Sequence, residues 1–127
     1  MSINRVTHIT VYVIDQDEAL AWYQQKLGFE VCMDNDEVVS GMRWLTVCPV
    51  GNAATQFVLM LVREESDKSR VGTNLMTVLS GTDCIGDMAR LAREGVDIVG
   101  PPEEVPWGLS GVIRDLYGNP YNIVGPG

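Results

Sequence analysis

The chain is written twice. From residue 5 to 31 it runs as strand, turn, amphipathic helix, Leu-Gly and strand, and residues 74–99 follow the same course: NLMTVLSGTDCIGDMARLAREGVDIV echoes VTHITVYVIDQDEALAWYQQKLGFEV. In each copy a β-branched apolar run, Ile9 to Ile14 or Leu75 to Leu79, meets an aspartate placed to cap a helix, Asp15 or Asp17 in the first and Asp83 in the second. Apolar residues then fall at helical spacing: Ala19, Leu20, Trp22 or Tyr23 and Leu27, and later Ile85, Met88, Ala89, Leu91 and Ala92. Both helices stop at a glycine, Gly28 and Gly95, and each glycine leads into a strand, Phe29 to Met33 and Val96 to Val99. The copies close alike, with Trp44 to Cys48, a turn at Pro49-Val50-Gly51-Asn52 and Gln56 to Val62 matching Gly111 to Arg114, a turn at Leu116 to Asn119 and Tyr121 to Val124. This predicts β-α-β-β-β twice, an α+β fold in one domain over 1–127, with modules at about 4–62 and 74–124 and a charged linker over 63–73.

Composition narrows the partners. A formal charge of −8 disfavours nucleic acid and anionic membrane, both of which need a basic face. The acids do not gather into one patch: Asp34, Asp36, Glu37, Glu64, Glu65, Glu103 and Glu104 read as solvated loops or helix edges. No segment approaches the ~18 consecutive apolar residues of a membrane span, and no apolar leader opens the chain. Cys32, Cys48 and Cys84 are odd in number and form no C-x-x-C pair, which points to a reducing cytoplasm and to core or pocket-lining thiols rather than a disulfide framework. Glycine-rich phosphate loops, G-x-S-x-G and H-E-x-x-H are all missing from the sequence. The Pro101-Pro102 pair and Pro106 are expected to punctuate a loop after the strand ending at Val99.

Four twisted strands with a helix on one face leave the other face open, and a second copy beside it makes a cleft lined from both sides. Strand alternation sorts the side chains. Ile9, Val11 and Val13 are expected in the core, while His8, Thr10 and Tyr12 look into the cleft. By the same parity Trp44 and Thr46 oppose Leu45 and Val47. Val58 and Met60 oppose Phe57, Leu59 and Leu61, Val112 and Arg114 oppose Ile113, and Asn122 opposes Tyr121 and Ile123. A wall of one histidine, hydroxyls, aromatics, an arginine and an amide suits a small organic molecule.

These residues resemble a known family. HITVYVIDQDEALAWYQQKLGFEV is similar to the first module of the vicinal oxygen chelate superfamily, which includes glyoxalase I, extradiol dioxygenases and the fosfomycin- and bleomycin-resistance proteins. WGLSGVIRDLYGNPYNIV is similar to its closing strand pair, with Asp115-Leu116-Tyr117-Gly118-Asn119 standing where the family usually has D-P-D-G-N. The resemblance implies paired β-α-β-β-β modules forming a cupped, half-barrel mixed sheet with helices on the outer face, and a homodimer. It also implies four metal-ligand positions, which fall here on His8, Met60, a place near Thr77 (with Leu75 or Asn74 as other registers) and Asn122. Only His8 is a good ligand, because a thioether is too soft for Mg²⁺ or Mn²⁺ and a hydroxyl and an amide bring no charge. Gln56 lies about four residues before Met60, too far along a strand rising roughly 3.3 Å per residue to replace it.

The expectation is therefore a cytoplasmic, homodimeric small-molecule-binding protein with no cofactor and no divalent-metal centre. The ligand wall is Thr10, Tyr12, Trp44, Thr46, Met60, Trp107, Arg114 and Asn122, with His8 as the one candidate catalytic group. His8 can act as a general base or simply be satisfied by a neighbouring hydroxyl or carbonyl. Arg114 can clamp an anion or pair with Asp115 or another turn acid. Trp44 and Tyr12 can stack a planar ligand or pack plainly, and Trp107 can be a lid or an interface anchor. The alternative is a glyoxalase-like or dioxygenase-like enzyme, a lyase or dioxygenase, with His8 as base or sole retained metal ligand. A module whose only role is dimerisation is the third reading.

Overall fold

A computed structural model describes residues 1–126 as β1 (His8–Val13), α1 (Gln16–Leu27), β2 (Glu30–Val39), β3 (Met42–Cys48), β4 (Gln56–Leu61), a 3-10 helix (Glu65–Arg70), β5 (Thr77–Ser80), α2 (Cys84–Arg93), β6 (Asp97–Val105), β7 (Gly108–Arg114) and β8 (Pro120–Gly125). The chain divides into two compact units between Val71 and Gly72, inside the linker the sequence predicts. Each unit holds one β-α-β-β-β module. The sheets have the same order, β1-β4-β3-β2 and β5-β8-β7-β6. In both, the first strand runs parallel to the last and the other pairs are antiparallel. The fold is α+β.

Local chemistry sets the helix ends. The Asp15 carboxylate accepts the Glu18 backbone N–H at 3.0 Å and the Asp83 carboxylate that of Gly86 at 2.9 Å, so both expected caps form. Gly28 follows α1 at φ 68°, the left-handed turn in which a Cβ crowds the next carbonyl. A Cβ built at Gly28 meets nothing within 4 Å. Gly28→Ala should therefore pay the backbone term alone, about 1 kcal/mol in urea denaturation.

Each helix covers the apolar parity of its own sheet. In the first unit Val11, Val13, Ala19, Tyr23, Phe29, Leu45, Val47, Phe57 and Leu59 are buried, and Phe29 stacks on Phe57 at 5.8 Å. Buried Gln16 donates to the carbonyls of Arg43 (3.1 Å) and Leu59 (2.9 Å), tying the start of α1 to β3 and β4. In the second unit Met88, Leu91, Val96, Ile113, Tyr121 and Ile123 make the core. The repeat extends to irregularities: β2 slips against β3 between Val31 and Met33, and β6 slips against β7 between Ile98 and Gly100. The extra residues, Cys32 and Val99, each stand four places past the helix-ending glycine.

Three expectations are corrected. Asp34, Asp36 and Glu37 lie in β2 rather than in a loop, because pairing with β3 carries the strand on to Val39. Pro101 and Pro102 likewise lie inside β6, which runs to Val105; it is an edge strand, where a missing N–H can face away from the ladder, and its register slips between Gly100 and Glu103. Cys32 and Cys48 are joined in a disulfide, with Cα atoms 6.4 Å apart. They lie 16 residues apart in sequence, and the β2–β3 pairing brings them together, which a search for C-x-x-C spacing does not register. Among the described residues Cys84 is the free cysteine, and it is buried as expected.

Candidate functional site

The open face of the first sheet collects most of the candidate residues. β1 presents His8, Thr10 and Tyr12 away from the core formed by Val11 and Val13. His8 pairs in register with Gln56, Thr10 with Val58 and Tyr12 with Met60. Across β4, Val58 stands beside Thr46 of β3. The His8 and Trp44 rings meet edge to face at 5.8 Å. They come from β1 and β3, with β4 between them, and two strand spacings amount to about 9.6 Å. The side chains must therefore lean toward each other over β4.

Thr46 and Val58 share this face, yet they are 0 % and 2 % exposed, so they form a closed floor rather than an open wall. The Thr46 hydroxyl donates to Gln56 Oε1 at 2.7 Å, while Gln56 Nε2 donates to the Ala53 carbonyl at 3.2 Å. His8 Nδ1 lies 3.0 Å from the Thr7 hydroxyl.

At the other end of β1 the linker contributes a residue that sequence reasoning missed. Arg70 sits over the Tyr12 ring at 5.6 Å, donates to the Tyr12 hydroxyl at 3.1 Å and pairs with Asp67 at 3.4 Å. The Tyr12 contact, more than the Asp67 charge, raises the Arg70 pKa, so the guanidinium stays charged. An open hollow of about 660 Å³ is lined by Tyr12, Met42, Met60, Leu61, Arg63, Glu64 and Asp67. A charged run read as solvated linker gave no signal for this.

In the second unit, Asn122 and Val112 are register partners on the open face, and Val78 of β5 stands opposite Asn122. Thr77 instead pairs with buried Tyr121 and has core parity. The Asn122 amide is committed, donating to the Ser110 hydroxyl (2.6 Å) and the Gly111 carbonyl (3.2 Å). Arg114 reaches Asp97 across the β6–β7 pair at 3.4 Å. The neighbouring Asp115 is not its partner, because that carboxylate points into its own turn. Trp107, 71 % exposed, tips the turn between β6 and β7.

Residues 5–123 match the Glyoxalase/Bleomycin resistance protein/Dioxygenase superfamily. The chain belongs to that superfamily. An antibiotic binding protein from Streptomyces sp. CB03234, TnmS3, is 31 % identical with a TM-score of 0.82, the likeness covering 100 % of this chain and 99 % of that one. A superfamily member from Sphaerobacter thermophilus DSM 20745 is also 31 % identical, at a TM-score of 0.81 over 98 % and 99 % of the two chains. An uncharacterized protein of Shewanella frigidimarina (strain NCIMB 400) is 28 % identical over 94 % of this chain and 91 % of its own.

The metal-ligand positions that the resemblance implies lie on the first and last strands of each module. Here the strand neighbours at those places are His8 with Gln56 and Val78 with Asn122. The partner in register with His8 is Gln56, not Met60, which stands beside Tyr12. Neither pair carries a carboxylate or a thiolate. Among the described residues no group of three or more His, Cys, Asp or Glu is placed to hold a metal. No helix in those residues is long and apolar enough to cross a membrane.

Proposed function

We propose that this chain is a small-molecule-binding protein that takes an organic ligand with an aromatic part on the open face of its first sheet, without a divalent-metal centre. The observation that carries the reading is the Trp44–His8 pair. Two flat rings lean over β4 on the face opposite the core, the same face as the closed floor of Thr46 and Val58. Tyr12, Met60 and Met42 continue the apolar surface along the same sheet, and methionine adapts to varied shapes. A structural neighbour described as an antibiotic binding protein supports the class of ligand.

Trp44 is its own reporter. In a Trp22→Phe, Trp107→Phe background, titration with a panel of aromatic antibiotics should give saturable quenching of Trp44 fluorescence for at least one compound. Isothermal titration should show Trp44→Ala binding that compound about tenfold more weakly, the loss of one aromatic contact of roughly 1.4 kcal/mol. Equal affinity in Trp44→Ala, or no saturation with any compound at millimolar concentration, contradicts the reading.

Metal independence has its own readout. Added Mn²⁺, Ni²⁺ or Fe²⁺ should leave the melting temperature unchanged, and His8→Ala should fold with the same insensitivity to chelator, since a ligand stabilises the native state only if it binds it. A divalent-ion stabilisation that disappears in His8→Ala would restore the enzyme reading. The proposal includes a homodimer. Light scattering at micromolar concentration is expected to give twice the mass of one chain, and a single-chain mass removes that part.

A further inference from the structure

We infer that the Cys32–Cys48 pair is a thiol-exchange site, opened at Cys32 by a small-molecule thiol, and that it fastens the bulge of β2 beside the binding face. Strand alternation puts Cys48 on the face of Trp44 and Thr46. Glu30 stands opposite Cys48, and Cys32 shares the parity of Glu30, so the sulfur bridge lies on the same open face. Cys32 is also the extra residue of the β2 bulge, a place where the ladder is interrupted and a side chain is re-aimed.

The two sulfurs are not equally open to attack. Cys48 is 1 % exposed, whereas Cys32 is half-buried on an edge strand, so an incoming thiolate meets Cys32 first. That thiolate bonds to Cys32 Sγ, the sulfur–sulfur bond breaks, and its electron pair leaves on Cys48 Sγ, which takes a proton from water. A second small thiolate then attacks the added sulfur of the mixed disulfide. Cys32 leaves as thiolate and is protonated, and the small-molecule disulfide departs. The protein pair gains two electrons and two protons from two thiols, and the small-molecule disulfide reverses the exchange.

Opening the bridge matters because, beside its backbone pairing with β3, this part of β2 buries little apolar surface. Val31, Met33, Val38 and Val39 are all exposed, and the Asp34 carboxylate takes the Arg43 guanidinium of β3 at 2.8 Å. A strand exposed on both faces has a weakly specified register. Met33 and Asn35 stand opposite Thr46 and Trp44, and a one-residue slip replaces them with their neighbours, including Asp34. The bridge therefore decides which β2 side chains border the binding face. Cys84 makes the contrast: burial, then the nearby Asp87 charge, pushes its thiol up, and its Sγ contacts the Ile123 carbonyl at 3.4 Å. The second unit has Val99 at the equivalent bulge and no such device.

The test uses the full chain purified in air without reductant. Iodoacetamide after denaturation should label Cys84 alone. Incubation of the folded protein with glutathione should first give a mixed disulfide mapped to Cys32 and then free both thiols. Hydrogen exchange of residues 30–39 should become about tenfold faster on reduction while that of 108–125 stays the same. Cys32→Ser/Cys48→Ser should reproduce the reduced pattern and ignore glutathione. Labelling of all three cysteines without reductant, adduct formation at Cys48 instead of Cys32, or equal exchange of 30–39 in both redox forms overturns the inference. No ligand enters these readouts, so they are decided apart from the binding reading.

Discussion

Asp115→Ala is expected to lower the free energy of unfolding by about 3 kcal/mol, because it leaves several buried donors without an acceptor. The carboxylate, 5 % exposed, accepts the backbone N–H groups of Tyr117 and Asn119 on Oδ1 and the Asn119 side-chain amide on Oδ2, each at 2.9 Å. Buried Asn119 in turn accepts the Asn74 backbone N–H at 3.1 Å, so one acid orders the β7–β8 turn and the segment leading to β5. Asp115→Asn should cost less. Its oxygen can still take both backbone N–H groups, although its amide then faces that of Asn119. Urea denaturation of the two variants checks the ranking, and a loss under 1 kcal/mol for the alanine variant contradicts it. The effect reaches the site, because this turn sets the register of Val112 with Asn122.

Much of this was readable from the chain. Alternation separated Val11 and Val13 from His8 and Tyr12, and Ile113 from Arg114, because a sheet covered on one face by a helix imposes a period of two. Asp15, Gly28 and Asp83 marked helix ends because their chemistry acts locally. What stayed hidden depends on pairing between distant residues. A bulge at Cys32, the disulfide beside it and the pairing of His8 with Gln56 are properties of register, to which no short window of sequence has access. Parity placed Thr46 and Val58 on the right face but could not say that the floor there is closed to solvent. The reach of Arg70 to Tyr12 spans 58 residues and leaves no periodic trace. Which module positions lie on the open face was thus legible, and which of them are open to solvent was not.

Gly72→Ala carries the second large effect, and it reports on the same turn from the other side. Gly72 has φ 78°, and a Cβ there would lie 2.2 Å from the Tyr117 carbonyl oxygen and 3.3 Å from its carbon. The obstacle is backbone, and the Asp115 hydrogen bond to the Tyr117 N–H holds that turn in place. Gly118 makes the useful control, since its φ of 97° is also positive but an added Cβ meets nothing within 4 Å. Gly118→Ala should cost only the backbone term, about 1 kcal/mol, whereas Gly72→Ala should cost about 3 kcal/mol because the turn must also move. If the clamp is what makes the clash expensive, releasing it should make Gly72→Ala cheaper. The double variant with Asp115→Ala is therefore expected to be less destabilised than the sum of its parts by about 1 kcal/mol. Strict additivity in the urea midpoints would mean that the segment around Gly72 yields instead, and that the Asp115 turn does not anchor the start of the second unit.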